Sequence, residues 1–152
     1  MKDERVSVSL IDGLAFRGTV NGFEIIVDAE EEVGGKDRGP RPKPLMKLSV
    51  AGCTAMDVIS ILYKMRVEVE EFNVHVDGEL TEQHPKHYNK MHLIYEFKGK
   101  SLPYDKVEKA VKLSQDRYCG VSFLYKKVME LTYEIVIHDT ETGETTSHFY
   151  EG

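Results

Sequence analysis

The sequence predicts a single α+β domain, and three observations support that prediction. Apolar residues alternate with polar ones near both ends of the chain, as they do in half-buried strands. Between these segments lies a long apolar stretch of helical length. The chain has 152 residues, 41% hydrophobic and 30% charged, which suits one core and is too short for two comfortable ones. We therefore expect one domain over residues 1–152.

Composition also limits the partners and the compartment. A formal net charge of −6 argues against nucleic acid, because the phosphates would repel the chain. The first residues are charged and contain no apolar signal core. The most apolar stretch, 45–65, contains Lys47, Asp57 and Lys64, so we expect no membrane span. Two cysteines without a secretion signal indicate free thiols in the cytoplasm.

The N-terminal segment predicts a three-stranded antiparallel sheet. Apolar residues alternate along residues 6–10 and 23–27, with a shorter alternating run between them. Asn21-Gly22 predicts a two-residue hairpin, because both turn positions favour a positive φ. A loop rich in glycine and proline follows from Glu30 to Pro44 and contains Arg38 and Arg41.

A helix is predicted from Pro44 to Arg66, with the proline in its first turn. Apolar residues surround most of its circumference through the middle. Such a helix must be buried on most of its sides, and a chain of this size has little else to cover it. The helix therefore indicates a homodimer.

The second half of the chain predicts a long hairpin, two helices and two final strands. A strand with a β-bulge at Glu70-Glu71 is followed by a return strand, because the alternation slips by one residue at that point. Ser101 is placed to cap the first of the two helices. The predicted ranges are Val67–Leu80, Met91–Phe97, Ser101–Ser114, Cys119–Lys127, Met129–Ile137 and, as an edge strand, Thr145–Tyr150.

The two cysteines are the candidate reactive groups. Cys53 lies inside the apolar helix, where it is either a small core residue or a functional thiol. The adjacent Gly52 favours a function, because glycine in a helix interior costs roughly 1 kcal/mol relative to alanine. Cys119 lies near the junction of two helices beside Arg117 and is likewise either buried or reactive. The two are 66 positions apart, so only the fold can bring them together.

Other chemistry has weaker support in the sequence. His84, His87 and His92 cluster, but they show neither a zinc-protease spacing nor a paired-cysteine partner. We interpret them as solvated residues, and we expect no metal and no cofactor. Motifs for nucleotide binding or serine hydrolysis are not found either.

Two segments resemble the signatures of the OsmC/Ohr family. The first comprises Gly39-Pro40-Arg41-Pro42, then Leu45-Met46, and then the run from Ala51 through Cys53 to Leu62. The second comprises Leu113-Ser114 and the run Tyr118-Cys119-Gly120-Val121-Ser122, and the order of the predicted elements agrees over the whole chain. The resemblance implies a single OsmC-like domain, residues 1–152, in an intertwined homodimer. Antiparallel sheets would wrap around two long central helices that carry the cysteines.

The resemblance also implies a reaction and the roles of two residues. Family members reduce organic hydroperoxides with a pair of thiols, and a dithiol then regenerates the enzyme. Cys53 matches the peroxidatic position and Cys119 the resolving one.

The sequence departs from the family pattern around the thiol. The best-characterised peroxidases have a glutamate ten positions before the first cysteine, where this chain has Lys43. Their activating arginine lies in the N-terminal strands, and Arg38 and Arg41 are the substitutes that this chain offers. Two functions therefore stay open: a peroxidase, or a non-enzymatic thiol protein that binds a small molecule or senses redox state.

Overall fold

The N-terminal strands form the three-stranded antiparallel sheet that the sequence predicts. The computed structural model describes residues 4–152, which divide into two compact units, the first ending at Met46 and the second spanning Lys47–Gly152. Strands β1 (Ser7–Asp12), β2 (Ala15–Val20) and β3 (Phe23–Val27) form an antiparallel sheet in that order. Asn21 and Gly22 have φ values of 50° and 79°, so the two-residue turn between β2 and β3 is confirmed. The expectation of a single domain stays a prediction.

The glycine- and proline-rich loop packs closely along β3. A Cβ atom at Gly35 would lie 1.9 Å from the carbonyl oxygen of Ala29, and one at Gly39 would lie 2.1 Å from that of Ile26. The amide of Asp28 also donates to the carbonyl of Pro40, at 3.3 Å. Glycine is therefore needed at both positions, because any side chain would collide with the backbone of the sheet.

Helix α1 (Pro44–Lys64) is buried along only one stripe. Its buried residues follow one another at intervals of four, which places them on one face of the helix: Val50, Thr54, Val58 and Leu62. Leu48, Met56 and Tyr63 are exposed. The predicted helix runs two residues further, but Arg66 adopts a left-handed φ of 57° that ends it.

By length and composition, helix α1 could also cross a membrane. It has 21 residues and a mean hydropathy of 1.6 over its most apolar window, of which 22% is buried. Core helices of soluble proteins, which are mostly buried, have the same length and hydropathy. The expectation of no membrane span stays a prediction.

The second sheet is mixed. Strands β4 (Glu71–Leu80), β5 (Tyr88–Gly99), β6 (Glu130–Asp139) and β7 (Thr145–Glu151) are ordered β4-β5-β6-β7. The resemblance implied antiparallel sheets, and the β5–β6 pair differs because it is parallel. Parallel neighbours need a crossover, which here contains α2 (Tyr104–Leu113), a π-helical turn (Ser114–Tyr118) and α3 (Gly120–Tyr125).

One face of the second sheet forms the core. Alternate residues of the two central strands are buried, namely Met91, Leu93, Tyr95 and Phe97 on β5 and Leu131, Tyr133, Ile135 and Ile137 on β6. Helix α2 contributes Val107, Ala110 and Val111. The hydroxyl groups of Thr54 and Tyr95 are 2.7 Å apart, which places the buried stripe of α1 against β5.

Two local predictions in the second half were wrong. The irregularity in the long hairpin falls at Glu79/Leu80, and β4 begins only at Glu71, because the chain is still leaving the turn at Arg66. Ser101 does not cap α2. It has a φ of 46°, and its hydroxyl donates to Glu141 instead.

Candidate functional site

The fold brings the two cysteines together. Cys53 lies in the middle of α1, and Cys119 occupies the N-cap position of α3, directly after the π-helical turn. Both are free thiols, and their sulfur atoms are within 4.8 Å of each other. The β4–β5 hairpin and the crossover lie between the two cysteines in sequence, and they return the chain from Cys53 to Cys119. The two signature segments therefore form one site.

Cys119 is held in place by the first turn of α3. Its side chain is buried, and Sγ accepts a hydrogen bond from the backbone N–H of Ser122 at 3.3 Å. The Ser122 hydroxyl also donates to this sulfur at 3.2 Å. The amide of Cys119 donates to the carbonyl of Ser114, which ties the π-helical turn to the thiol. These contacts fix the position of the sulfur atom.

Cys53 is only partly buried and has a different electrostatic environment. Burial raises the pKa of its thiol, and the hydrogen bond with Cys119 raises it further. The negative charge of Asp57 acts in the same direction, whereas the backbone N–H of Val121 lowers the pKa. This environment disfavours the thiolate form of Cys53.

Asp57 is a third member of the site that sequence reasoning missed. It follows Cys53 by four residues, so both side chains lie on one face of α1. A carboxylate oxygen of Asp57 lies within 4.8 Å of both sulfur atoms. The available signal was this i, i+4 spacing to Cys53 inside the first signature segment.

A chain of hydrogen bonds orients the Asp57 carboxylate. The Ser114 hydroxyl donates to Asp57 Oδ2 at 3.0 Å and lies 2.8 Å from the hydroxyl of Thr54. Thr54 in turn lies 2.7 Å from the hydroxyl of Tyr95, which accepts from the Gln115 amide at 2.6 Å. Each hydroxyl has one proton, so the donors all point toward Asp57. The buried network therefore fixes the orientation of the Asp57 carboxylate.

A shallow cleft leads to this carboxylate. Its volume is about 260 Å³, and its lining residues are Asp57, Ser60, Ile61, Lys64, Leu113 and Tyr118. The lining combines apolar side chains with one positive and one negative charge. A small molecule or ion in the cleft would contact Asp57 directly.

Arg38 is bound to carboxylates within the first unit. Its guanidinium donates to both carboxylate oxygens of Asp12 at 2.8 Å and to Asp28 at 3.1 Å. Hydrogen bonds from Arg38 and from Lys36 lower the pKa of Asp12 to about 2. Burial would raise the pKa of Asp28, but the Ala29 amide and Arg38 together lower it.

Arg41 is similarly engaged. It donates to Glu30 at 2.7 Å, to Asp37 at 2.5 Å and to the carbonyl of Gly39 at 2.7 Å. Lys43 is exposed. The structure thus shows local partners for both arginines, and an activating role at Cys53 stays a prediction for Arg38, Arg41 and Lys43.

The histidine cluster is divided by the fold. His84 and His87 are exposed, in keeping with the predicted solvation. His92 is instead partly buried, and its ring nitrogens lie 2.8 Å from the Thr132 hydroxyl and 3.2 Å from Glu134. Unlike the other two histidines, His92 is therefore held by side-chain contacts on the polar face of the second sheet.

Comparison with known proteins identifies the family. The profile described as OsmC-like protein matches residues 34–134, which include both cysteines and Asp57. The chain belongs to the OsmC-like family, and the resemblance of the two signature segments is confirmed.

Individual relatives agree with this assignment. Protein YhfA of Escherichia coli (strain K12) is 32% identical over 132 residues, which is 85% of this chain and 96% of YhfA. A hypothetical protein from Aquifex aeolicus VF5, whose crystal structure has been solved, is 28% identical to this chain and matches it with a TM-score of 0.79. The match covers 90% of this chain and 97% of the Aquifex chain. An organic hydroperoxide resistance protein OsmC from Legionella pneumophila shares the fold at 12% identity, with a TM-score of 0.64 over 87% of this chain and 96% of its own.

Proposed function

We propose that the protein is a thiol-dependent peroxidase that reduces organic hydroperoxides. The observation that supports this most strongly is the pair of sulfur atoms within 4.8 Å, supplied by the two signature segments of the family. Cys53 is the peroxidatic residue because it is the more accessible of the two thiols. Cys119, buried beside it, is the resolving residue.

The reaction follows from thiol chemistry. The Cys53 thiolate attacks one oxygen of the hydroperoxide, the O–O bond breaks, and the alcohol leaves after taking up a proton. Cys53 becomes a sulfenic acid. The Cys119 sulfur then attacks the Cys53 sulfur and releases water, which leaves a disulfide. An external dithiol reduces that disulfide by exchange, so one hydroperoxide and one dithiol give one alcohol, one water and one oxidised dithiol.

Activation of Cys53 requires a further group. Because burial raises the pKa of this thiol, a cation is needed within ~4–6 Å to favour the thiolate. We propose that Arg38, Arg41 or Lys43 supplies it in the assembled protein. In that role, Arg38 or Arg41 would keep some of its hydrogen bonds to carboxylates of the first unit.

We propose further that the assembled protein is an obligate homodimer in the cytoplasm. The exposed apolar side chains of α1 and of the first sheet would be covered by a second copy. The interface is expected to exceed ~2,000 Å², the lower range for obligate pairs. A monomeric mass in sedimentation at micromolar concentration would contradict this assembly.

A peroxide-consumption assay tests the reaction. The wild-type protein is supplied with an organic hydroperoxide and several dithiols in turn, beside Cys53→Ser and Cys119→Ser. We expect Cys53→Ser to lose turnover entirely. Cys119→Ser should form the sulfenic acid with one equivalent of hydroperoxide and then turn over more slowly than the wild type, because the external dithiol must attack the Cys53 sulfur in place of Cys119. Full turnover by Cys53→Ser would exclude the proposed role.

The raised pKa of Cys53 favours a second candidate function, a non-enzymatic thiol protein that binds a small molecule or senses redox state. The pH dependence of Cys53 alkylation in Cys119→Ser distinguishes the two. A midpoint below ~7 supports the peroxidase, because it shows an activating cation. A midpoint above ~9, or stoichiometric oxidation without turnover in excess dithiol, supports the second function.

A further inference from the structure

We propose that Cys53, Asp57 and Cys119 form a binding site for Zn²⁺, with three protein ligands and a fourth position open to the cleft. This proposal does not depend on the peroxidase reaction, because it concerns equilibrium binding to the reduced protein. It departs from the expectation of no metal, which considered only histidine clusters and closely spaced cysteine pairs.

The distances suit a tetrahedral ion. One ligand atom from each of the three residues lies within 4.8 Å of the other two. In a tetrahedral site with Zn–S bonds of about 2.3 Å and a Zn–O bond of about 2.1 Å, ligand atoms are roughly 3.5–3.8 Å apart. Each pair of ligand atoms therefore needs to close by no more than about 1.3 Å to reach the separations of a tetrahedral site.

The ligand types select zinc over harder cations. Two thiolate sulfurs favour Zn²⁺ and Co²⁺ over Mg²⁺ and Ca²⁺, which prefer oxygen ligands. The carboxylate adds a third negative charge, so the three charges of the deprotonated site would repel one another without a cation. A divalent ion offsets that repulsion.

Each ligand also has an orienting hydrogen-bond donor. Ser114 donates to Asp57 at 3.0 Å, and Ser122 donates to the Cys119 sulfur through both its hydroxyl and its amide. The amide of Val121 donates to the Cys53 sulfur. Such outer contacts orient ligands and strengthen metal binding in proteins. They distinguish this cluster from a chance meeting of three side chains.

The site has an entry path. Cys53 and Asp57 are only partly buried, and Asp57 lines the cleft of about 260 Å³. An ion can therefore reach the ligands from the side of the carboxylate, and a water molecule can complete the coordination. Cys119 closes the inner side, because its side chain is buried.

Binding is tested on the full chain after reduction and removal of metal. Zn²⁺ affinity is measured by competition with a chromophoric chelator, and Co²⁺ is added separately to reveal thiolate-to-cobalt charge-transfer absorption. We expect Cys119→Ser and Asp57→Asn to weaken Zn²⁺ binding more than about 100-fold, since loss of outer contacts alone costs about 10–100-fold. Ser114→Ala should fall within that smaller range, and Asp77→Asn, at an exposed strand position, should bind like the wild type.

A second measurement needs no variant. Zn²⁺ added to the wild-type protein should slow alkylation of both thiols at least tenfold, whereas Mg²⁺ should not. The proposal is overturned if Co²⁺ gives no thiolate band, if Zn²⁺ leaves alkylation unchanged, or if Asp57→Asn binds like the wild type. An active peroxidase that binds no zinc would overturn this proposal alone, and a zinc-binding protein without turnover would overturn the peroxidase alone.

Discussion

Helix α1 has two apolar faces with opposite surroundings. On one face Val58 and Leu62 are completely buried, while on the other Met56 and Tyr63 are 73% and 67% exposed. The buried face lies against β5 of the same chain. The exposed face has the composition of a core but, within residues 4–152, not the cover of one. The difference is the observation behind the proposed homodimer, in which a second copy would cover the exposed face.

The largest effect is expected on the buried face. Leu62→Ala removes a fully buried side chain and leaves a cavity, so we expect the free energy of unfolding to fall by about 2–5 kcal/mol. Denaturant titration measures this change. The matched control is Leu14→Ala, because Leu14 is 47% exposed in the turn between β1 and β2 and should cost no more than about 0.5 kcal/mol. Equal losses in the two variants would remove the distinction between buried and exposed leucines.

The exposed face should respond through assembly. In the proposed homodimer, Met56→Glu buries an unpaired charge, and we expect the dimer dissociation constant to rise more than about 100-fold, or roughly 3 kcal/mol. Sedimentation over a range of concentrations measures this constant. Asn73→Glu adds the same charge at an exposed position of β4 and should leave the dimer intact. A Met56→Glu protein that dimerises like the wild type would show that this face is not the interface.

Two tyrosines sharpen the same comparison. The Tyr95 hydroxyl bonds to Thr54 and Gln115 in the core, so Tyr95→Phe leaves buried polar groups without partners. We expect a loss of about 1–3 kcal/mol in the free energy of unfolding. Tyr63→Phe makes the same chemical change on the other face, where the Tyr63 hydroxyl has no hydrogen-bond partner within residues 4–152, and we expect it to change that quantity by less than about 0.5 kcal/mol. Denaturant titration of both variants is the check, and a neutral Tyr95→Phe would mean that the hydroxyl chain adds nothing to stability.

The smallest effect is expected outside both faces, in the exposed ion pair of Lys36 with Asp12. The pKa of Asp12 is lowered to about 2 in the folded chain, so its pairing stabilises the fold above the ordinary carboxyl pKa and is lost as the pH falls toward about 2. Lys36→Gln should therefore lower Tm slightly at pH 6 but not at pH 2, and salt should reduce the difference. Arg17→Gln, whose pair with Glu24 is more than half exposed, serves as the control. A Tm difference that persists at pH 2 would contradict this assignment.

Much of the fold could be predicted because its signals are local. The hairpin at Asn21-Gly22 and the start of α1 at Pro44 follow from turn chemistry and from the fixed φ of proline. The parallel pairing of β5 with β6 could not be predicted from spacing, because strand partners are chosen by non-local packing. The position of the hairpin irregularity was misjudged for a related reason, since the left-handed turn at Arg66 shifts the start of β4.

The residues of the site also differ in whether a local signal in the sequence could reveal them. Cys53 and Cys119 could be found from their motifs, and the fold brings their sulfur atoms together. Asp57 lies in the first signature segment but was given no role there, because its distance to Cys119 is set only by the fold. Thr54 and Ser114 lie within the signature segments, but their hydrogen bond exists only once α1 and the π-helical turn meet. Polar residues on a buried face are therefore worth examining as parts of a site.

The placement of the cysteines on either side of the hairpin also affects the unfolded chain. A disulfide between Cys53 and Cys119 would close a loop of about 66 residues, which restricts the unfolded ensemble by roughly 4 kcal/mol on the chain-entropy account. The oxidised protein would then resist unfolding more than the reduced one. By thermodynamic linkage, the folded state would also make the disulfide harder to reduce than the same bond in an unfolded chain. The fold thus contributes to the redox potential of the pair through chain connectivity alone.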